Sequence, residues 1–252
     1  MAKAQIIILG SSAASPFPRT KKNQWADYLT ANYQKKFHLH DDPICNLAKK
    51  GGPNRRTRSV IAIKTAKTTI IFDAGPDIFY QLKKFKIRPQ IAFLSHEHSD
   101  ANYHAEDLKK IGVKIYGELE KNIKPDKSVS IENIKIMPFR VRHVKNVKTV
   151  GYKIFIGQKK IAIATDISST AGLKKYFRNC DIILADGSIL SRNFGGHLPI
   201  IRQLQIYKKW NLKKVFFTHI GHSTLPHNEL VKFVRSKYKN TDVAYDGLKI
   251  KI

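Results

Sequence analysis

Short apolar runs rich in β-branched residues recur along the whole chain and are separated by turn-forming residues. This pattern predicts many short strands. The predicted strands cover residues 4–10, 59–65, 68–75, 91–96, 113–117, 134–141, 150–157, 159–166, 180–187, 213–219 and 243–252. Helix-like segments lie near residues 76–85, 104–111, 170–177, 198–210 and 227–237. Many strands with fewer helices indicate an α/β fold in which sheets are layered with helices.

Five of the predicted strands end in, or are closely followed by, an acidic or metal-capable side chain. These residues are Asp73, His96, Asp166, Asp186 and His219. A rigid strand fixes the direction of a side chain that stays accessible at its end, and functional sites are often built there. We therefore expect a site where these strands end.

The segment SHEHSD places His96, His98 and Asp100 at alternate positions, in a predicted loop between a strand and a helix. In extended backbone this spacing aims side chains to one side, so two imidazoles and one carboxylate can converge on one cation. Taken alone the motif is a weak signal, because histidine is common and a solvated loop explains it more readily.

Further candidates follow along the chain. They are His143, Asp166, His197, His219 and His222. Each one has a simpler explanation, since a strand-end histidine is usually a hydrogen-bonded surface residue and a strand-end aspartate often caps a turn or helix. The order of these residues along the chain is a stronger signal than any one of them, because the simple explanation would have to be true for every residue at once.

The chain of 252 residues is long enough for a sizeable core, and Cys45 and Cys180 are its only cysteines. Two cysteines give no disulfide framework and favour a reducing compartment. No run approaches the roughly 20 apolar residues of a membrane-spanning helix, and the N-terminal apolar stretch is short for a signal peptide. We expect a cytoplasmic protein with no membrane partner. The oligomeric state stays open, with a homodimer as one option.

The formal net charge of +27 and the isoelectric point near 10.1 predict attraction to polyanions. A phosphorylated small molecule or a nucleic acid would gain local concentration in such a field. Lysines scattered over solvated surfaces explain the same charge equally well, and both interpretations stay open.

The order of these motifs resembles that of the metallo-β-lactamase fold superfamily. Within it, the chain is similar to the phosphodiesterase branch that includes phosphoribosyl 1,2-cyclic phosphate phosphodiesterase. The matching segments are ILGSSAASPFPR, RTRSVIAI, TTIIFDAGPDIFYQL, LSHEHSDANYHAEDL, VGYKI after His143, IATD, GGH, FFTHIGH and AYDGLKI. The resemblance covers residues 6–250. It implies a four-layer αββα sandwich, with residues 1–252 as a single hydrolase domain. Residues 16–58, which are polar and basic, are expected to form a long loop or insertion.

The resemblance also implies a site for one or two divalent metal ions, with zinc, manganese or iron as the expected metals. The implied ligands of the first metal are His96, His98 and His143. Those of the second are Asp100, His219 and the bridging Asp166. Catalytic roles are implied for Asp100, Asp166 and His197, and His197 would act as a general acid or as a hydrogen-bond donor to phosphate.

Supporting roles are implied for several neighbours of this site. Asp73 is expected to accept a hydrogen bond from a ligand histidine, because metal-bound imidazoles usually give their other N–H to an acceptor. His222 and Asp246 are expected to support the site. Phosphate contacts are expected at Arg19, Arg55, Arg56 and Arg58, although a solvated basic loop explains each of them somewhat better.

The chain departs from the family pattern at Ala101, where a histidine usually supplies the second metal. Three outcomes are open: a single-metal site, a weak second site completed by water or substrate phosphate, or replacement of the missing ligand by His104, one helical turn further on. A helix-surface role for His104 is the simpler expectation.

Three functions remain after this reading. The first is a metal-dependent hydrolase of a small or cyclic phosphodiester. The second is a nuclease of the same fold, similar to the tRNA 3′-processing enzymes. The third is a non-catalytic metal-binding protein with a degenerate site, for which Ala101 is the best support.

Overall fold

Two β-sheets packed face to face form the centre of the molecule, and helices cover their outer faces. The fold is described from a computed structural model, in which the described residues are 4–18, 43–192 and 196–252. The described strands are β1 (Gln5–Gly10), β2 (Val60–Lys64), β3 (Thr69–Phe72), β4 (Ile91–Phe93), β5 (Lys114–Tyr116), β6 (Val129–Ile131), β7 (Ile134–Val141), β8 (Thr149–Ile156), β9 (Lys159–Ala164), β10 (Ile182–Asp186), β11 (Val215–Thr218), β12 (Thr241–Val243) and β13 (Lys249–Lys251).

The described helices after residue 77 lie in connections between parallel strands, whereas the helices before residue 55 lie between the antiparallel strands β1 and β2. The helices are α1 (Pro43–Lys49), α2 (Ile78–Phe85), α3 (Ser99–Asn102), α4 (Ala105–Lys110), α5 (Lys174–Phe177), α6 (Ile200–Lys209) and α7 (His227–Lys237), with a short 3-10 helix at Gly52–Asn54. None of the helices in the described ranges has both the length and the apolar composition that crossing a bilayer would require.

Both sheets mix parallel and antiparallel pairs. The first sheet has the order β13-β1-β2-β3-β4-β5, and the second has the order β12-β11-β10-β9-β8-β7-β6. In the second sheet, β9 to β12 form three parallel pairs, and β6 to β9 form three antiparallel pairs. Because β7 and β9 are each antiparallel to β8, they point the same way, and β7, β9, β10 and β11 all end at one edge of the sheet.

The strands are apolar on both faces because both faces are covered. In β1, Ile6 and Ile8 pack in the layer between the sheets, while Ile7 and Leu9 pack beneath the helices. A strand buried on both faces reads as a continuous apolar run rather than as an alternating one. The helix-covered faces and the inter-sheet layer together make the αββα sandwich that the sequence predicts, and this prediction is confirmed.

The predicted strand over residues 243–252 is wrong. Val243 is the last residue of β12 in the second sheet, and only Lys249–Lys251 forms a strand further on, β13 in the first sheet. The chain crosses between the sheets at Gly247, which adopts a φ of 92° and donates its N–H to the carbonyl of Ile8. A positive φ of this kind is available to glycine at little cost, so the apolar run breaks there.

The predicted long loop over residues 16–58 is also wrong in part. Its residues 19–42 lie outside the described residues, but Pro43–Lys49 forms α1. Proline at the first helical position favours a helix start, and Ile44 and Ala48, four residues apart, lie on one face and pack against Phe17. The short edge strand β6 was not predicted either, since three residues show no periodicity.

A buried arginine ties both sheets to α7. The Arg56 side chain is 3% exposed, and its Nη1 donates to Ser11 Oγ at 2.7 Å and to the carbonyl of Ala244. Its Nη2 lies 3.0 Å from His227 Nδ1. Ser11 follows β1, Ala244 follows β12 and His227 begins α7. Burial lowers the pKa of Arg56 to about 10, so the guanidinium stays charged at neutral pH.

We expect Arg56→Leu to lower the free energy of unfolding by about 3 kcal/mol, because it leaves buried partners without a donor. Urea denaturation measures the change. Arg55→Leu is the matched control, since Arg55 is exposed and should change stability by no more than about 0.5 kcal/mol. Equal stability of the two variants would show that the Arg56 contacts contribute nothing net.

Candidate metal centre

Histidine and aspartate side chains from six segments meet at the edge where the parallel strands end. These residues are His96 and His98 between β4 and α3, Asp100 on α3, His143 after β7, Asp166 after β9, His197 before α6 and His219 after β11. They form three overlapping groups whose candidate ligand atoms lie within 4.8 Å of one another: His96, His98 and His143; His143, Asp166 and His197; Asp100, Asp166 and His219.

The first group consists of three imidazole rings packed edge to face. The ring centroids of His96, His98 and His143 are 4.6 to 5.3 Å apart. Nε2 of His96 and Nδ1 of His98 face each other at 3.0 Å. We call this group the histidine cluster. Three ring nitrogens within 4.8 Å of one another are a donor set that fits a divalent cation.

Hydrogen bonds at the far sides of two rings orient the histidine cluster. His143 Nδ1 lies 3.0 Å from the Gly196 carbonyl, which can only accept, so Nδ1 carries the proton and the neutral ring keeps the Nε2 lone pair. Nδ1 of His96 lies 2.8 Å from Ser95 Oγ. Burial lowers the pKa of His143 and takes the pKa of His96 to about 4. Both rings are therefore uncharged at neutral pH, as metal binding requires.

Asp166 lies between the histidine cluster and the last group. Its Oδ1 is 3.9 Å from Nε2 of His143 and 3.3 Å from Nε2 of His219. Thr165 Oγ1 donates to the other oxygen, Oδ2, at 2.9 Å. Burial alone would raise the pKa of Asp166, but the surrounding imidazoles hold it below its ordinary value. The carboxylate is thus placed to touch cations on both sides.

The last group, Asp100, Asp166 and His219, is called the carboxylate cluster. Nε2 of His219 lies 3.9 Å from Asp100 Oδ2. His219 has a φ of 56°, an uncommon value for a residue with a side chain. Its Nδ1 is buried and has no hydrogen-bond partner in the described part of the chain. Unlike His143, this ring is not oriented by an acceptor behind it.

His197 is held by an aspartate whose role the sequence did not indicate. Its Nδ1 donates to Asp186 Oδ2 at 2.7 Å, and Asp186 also accepts bonds from Ser188 Oγ and from the N–H of Ile167. Burial opposes a charge on the ring, but Asp186 outweighs it and raises the pKa of His197 to about 9. The position of Asp186 at a strand end was visible in the sequence, whereas its pairing with His197 was not.

Asp73 contacts a ligand histidine through Ser95. The Ser95 N–H donates to Asp73 Oδ1 at 2.8 Å, and the Ser95 hydroxyl lies against His96. The direct bond that we expected from a ligand histidine to Asp73 is replaced by this relay. Burial raises the pKa of Asp73 well above its ordinary value, and its φ is 69°. Asp73 therefore fixes the backbone that leads into the SHEHSD segment.

Ala101 is buried and brings no donor atom to the site, and His104 does not replace it. Nδ1 of His104 lies 2.9 Å from Asp107 Oδ2, and its ring contacts Phe79 and Tyr103. His104 belongs to none of the three ligand groups that the described residues form. The replacement of a missing ligand by His104 is therefore not seen, and the helix-surface role is the one observed.

The other expected supporting residues serve the fold. The His222 ring stacks on Phe17 with the centroids 4.0 Å apart, and its Nδ1 lies 3.7 Å from Cys45 Sγ. Asp246 accepts from Ser11 and Thr57. Neither residue belongs to the ligand groups that the described residues form, and their supporting role at the site stays a prediction.

The four arginines expected to contact phosphate have different environments. Arg56 bonds as described above, and Arg58 is 2% exposed, donates to the Ala14 carbonyl and pairs with Asp77 at 3.2 Å. Their expected phosphate contacts are wrong, because neither guanidinium is accessible. Arg55 is exposed. Arg19 lies outside the described residues.

Comparison with known families places the chain in one of them. Residues 68–220, more than half of the chain, match the family described as the β-lactamase superfamily domain. The chain therefore belongs to the β-lactamase superfamily, and its two sheets with flanking helices have the metallo-β-lactamase fold. No curated protein sequence matches it.

Three solved structures illustrate the likeness. A diphosphatase of the PhnP family is 20% identical with a TM-score of 0.76, over 99% of this chain and 98% of that one. Zn²⁺-bound PqqB from Methylobacterium extorquens is 18% identical with a TM-score of 0.70, over 98% and 100%. The short form of human tRNase Z is 15% identical with a TM-score of 0.64, over 98% of both chains. At these identities the likeness establishes the fold alone.

Gly75 allows the segment that carries Asp100 to pack closely. A Cβ at Gly75 would lie 2.2 Å from the Asp100 carbonyl oxygen, so Gly75→Ala must displace that backbone. We expect this variant to lose about 1–3 kcal/mol of stability and part of its bound metal, as measured by thermal denaturation and elemental analysis. Gly117→Ala is the control, because its Cβ would come no closer than 3.4 Å to any neighbour, the nearest being the Leu94 side chain. Unchanged metal content in Gly75→Ala would contradict the expected displacement.

Proposed function

We propose that the protein is a metal-dependent hydrolase of small or cyclic phosphodiesters. The observation that carries the proposal is the position of Asp166, whose Oδ1 faces the histidine cluster on one side and His219 on the other, next to His197. This arrangement offers ligands for two cations and a proton-carrying side chain around one small space.

The ligand atoms fit divalent metal ions. The rings of the histidine cluster and Asp166 would hold one ion, and the carboxylate cluster would hold a second. Zinc and manganese are both compatible with imidazole and carboxylate donors. When bound, such ions would activate a water molecule near neutral pH and offset charge on the phosphoryl oxygens.

The protein side chains have separate tasks in this proposal. Asp166 is shared by the two clusters, so its replacement should impair the site more than replacement of any other residue. Asp186 holds Nδ1–H of His197, which leaves Nε2 of His197 on the side of His143 and Asp166. His197 would then donate a proton to the leaving oxygen of the diester. Asp186 acts through His197 and is a positioning residue.

A cleft beside the histidine cluster has room for the organic part of a substrate. It measures about 310 Å³. His96 lies in its wall together with Leu119, Asn146 and Lys148. A cavity near 300 Å³ suits a small ligand, which favours a small diester over a long polymer.

Two further observations support a phosphorus-containing substrate. The net charge of +27 raises the local concentration of anions. Among proteins of the same fold, one is described as a diphosphatase and another as a tRNase. The second candidate function, a nuclease, is favoured by the charge and by this second likeness.

We expect the protein loaded with manganese or zinc to hydrolyse bis(p-nitrophenyl) phosphate, with turnover followed as release of p-nitrophenolate. Asp166→Ala should abolish turnover, because it removes the carboxylate shared by the two clusters. Metal binding without turnover above the Asp166→Ala control would reject the phosphodiesterase and leave a binding role.

A binding measurement with tRNA distinguishes the nuclease. Affinity that falls steeply with salt would favour a nucleic-acid substrate, because phosphate contacts release counterions. Negligible binding of tRNA by a protein that hydrolyses the small diester would remove the nuclease.

We expect His197→Asn to reduce kcat by about 10²–10⁴-fold for a diester with a poor leaving group, such as diphenyl phosphate. The loss should be much smaller with p-nitrophenolate, which leaves without a proton. Asp186→Asn should show the same dependence on the leaving group, with a smaller loss. An equal loss for both substrates at unchanged metal content would show that His197 binds phosphate and does not donate a proton.

A further inference from the structure

The two clusters on either side of Asp166 offer different donor atoms. The histidine cluster supplies three imidazole nitrogens in addition to the shared carboxylate. The carboxylate cluster supplies one imidazole and one further carboxylate, from His219 and Asp100. Ala101, next to Asp100, contributes no donor. The second cluster is therefore poorer in ligands and richer in oxygen.

The clusters also differ in how well their rings are oriented. In the histidine cluster, His96 and His143 each have a hydrogen-bond partner at the ring nitrogen that faces away from the cluster. In the carboxylate cluster, Nδ1 of His219 is buried and has no such partner among the described residues. Partners of this kind fix the ring and raise ligand basicity, and losing one typically weakens metal binding about 10–100-fold.

Donor chemistry separates the metals that the two clusters prefer. Imidazole nitrogens suit zinc, while carboxylate oxygens and water suit manganese and magnesium. Hard cations also tolerate a site that water completes. Three imidazole donors therefore favour zinc, and the oxygen-rich neighbour offers less discrimination against manganese.

We infer that the centre holds two unlike ions: a zinc ion retained by the histidine cluster and an exchangeable manganese ion at Asp100 and His219. Asp166 is shared by both ions. The remaining coordination positions of the manganese ion are open to water or to a phosphoryl oxygen. The inference rests on the metal binding in the proposed function and not on hydrolysis.

The test is a metal titration of the full-length chain, using zinc and manganese ions as the probes. Protein stripped of metal is checked for its fold by circular dichroism, then equilibrated with both ions and dialysed. Elemental analysis counts the retained ions, and electron paramagnetic resonance follows bound manganese. We expect one zinc retained per chain and one manganese that binds about 10–100-fold more weakly.

Two variants and one control assign the sites. Asp100→Asn should lose the manganese equivalent and keep the zinc, while Glu97→Gln should keep both. Glu97 is a matched control, since it is an exposed acid in the same segment and belongs to none of the ligand groups that the described residues form. His98→Ala should lose the tightly held zinc.

Three results would overturn the inference. They are two zinc ions held with similar affinity, manganese held as tightly as zinc, and loss of the zinc rather than the manganese in Asp100→Asn. The measurement is independent of turnover. A protein that binds the two ions unequally but hydrolyses no diester would reject the proposed phosphodiesterase and leave the unequal pair established.

Discussion

Apolar side chains of both sheets interlock in the layer between them, and this contact determines where each strand ends. Phe72 and Phe93 from the first sheet pack against Tyr152 from the second, at 5.3 and 5.4 Å between ring centroids. With the sheets fixed in this way, the chain leaves β4, β7, β9 and β11 at one edge. The candidate ligands follow these strands within a few residues, so the packing of the strand ends between the sheets sets their positions.

The site brings imidazoles and carboxylates together in a small buried space. Nε2 of His96 and Nδ1 of His98 lie 3.0 Å apart, and burial keeps His96 uncharged at neutral pH. Asp166 is a buried carboxylate, and burying a charge costs several kcal/mol. The surrounding imidazoles offset part of this cost and hold the pKa of Asp166 below its ordinary value. One of them, His197, is charged at neutral pH because Asp186 raises its pKa to about 9. A divalent cation between these groups would offset more of the cost.

Sequence patterns identify a functional residue when the local backbone alone fixes where its side chain points. They fail when the role of a residue depends on a partner that is distant in the sequence. The runs ending at His96, Asp166 and His219 were recognised because a strand end fixes a side chain locally. The bond between Asp186 and His197 joins residues whose proximity only the packed sandwich decides. Arg56 and Arg58 were expected to contact phosphate because they lie in a basic stretch of sequence. Such a stretch does not show whether a side chain is buried in the fold. The segment 243–252 was predicted as one strand because apolar residues stand on both sides of Gly247.

The burial of Arg56 and Arg58 changes what the high net charge can do. Their guanidinium groups are used inside the fold, so the positive field comes from exposed side chains, mostly lysines. Charges in water are screened beyond about 8–10 Å at physiological salt. Such a field increases the rate at which an anion reaches the protein but does not orient a phosphorus atom. Orientation of the phosphorus atom would depend on the buried clusters around Asp166. These clusters would act in the same way on a small diester and on a polymer. In the proposed function, the cleft beside His96 would limit the size of the substrate, and the metal centre would determine the reaction.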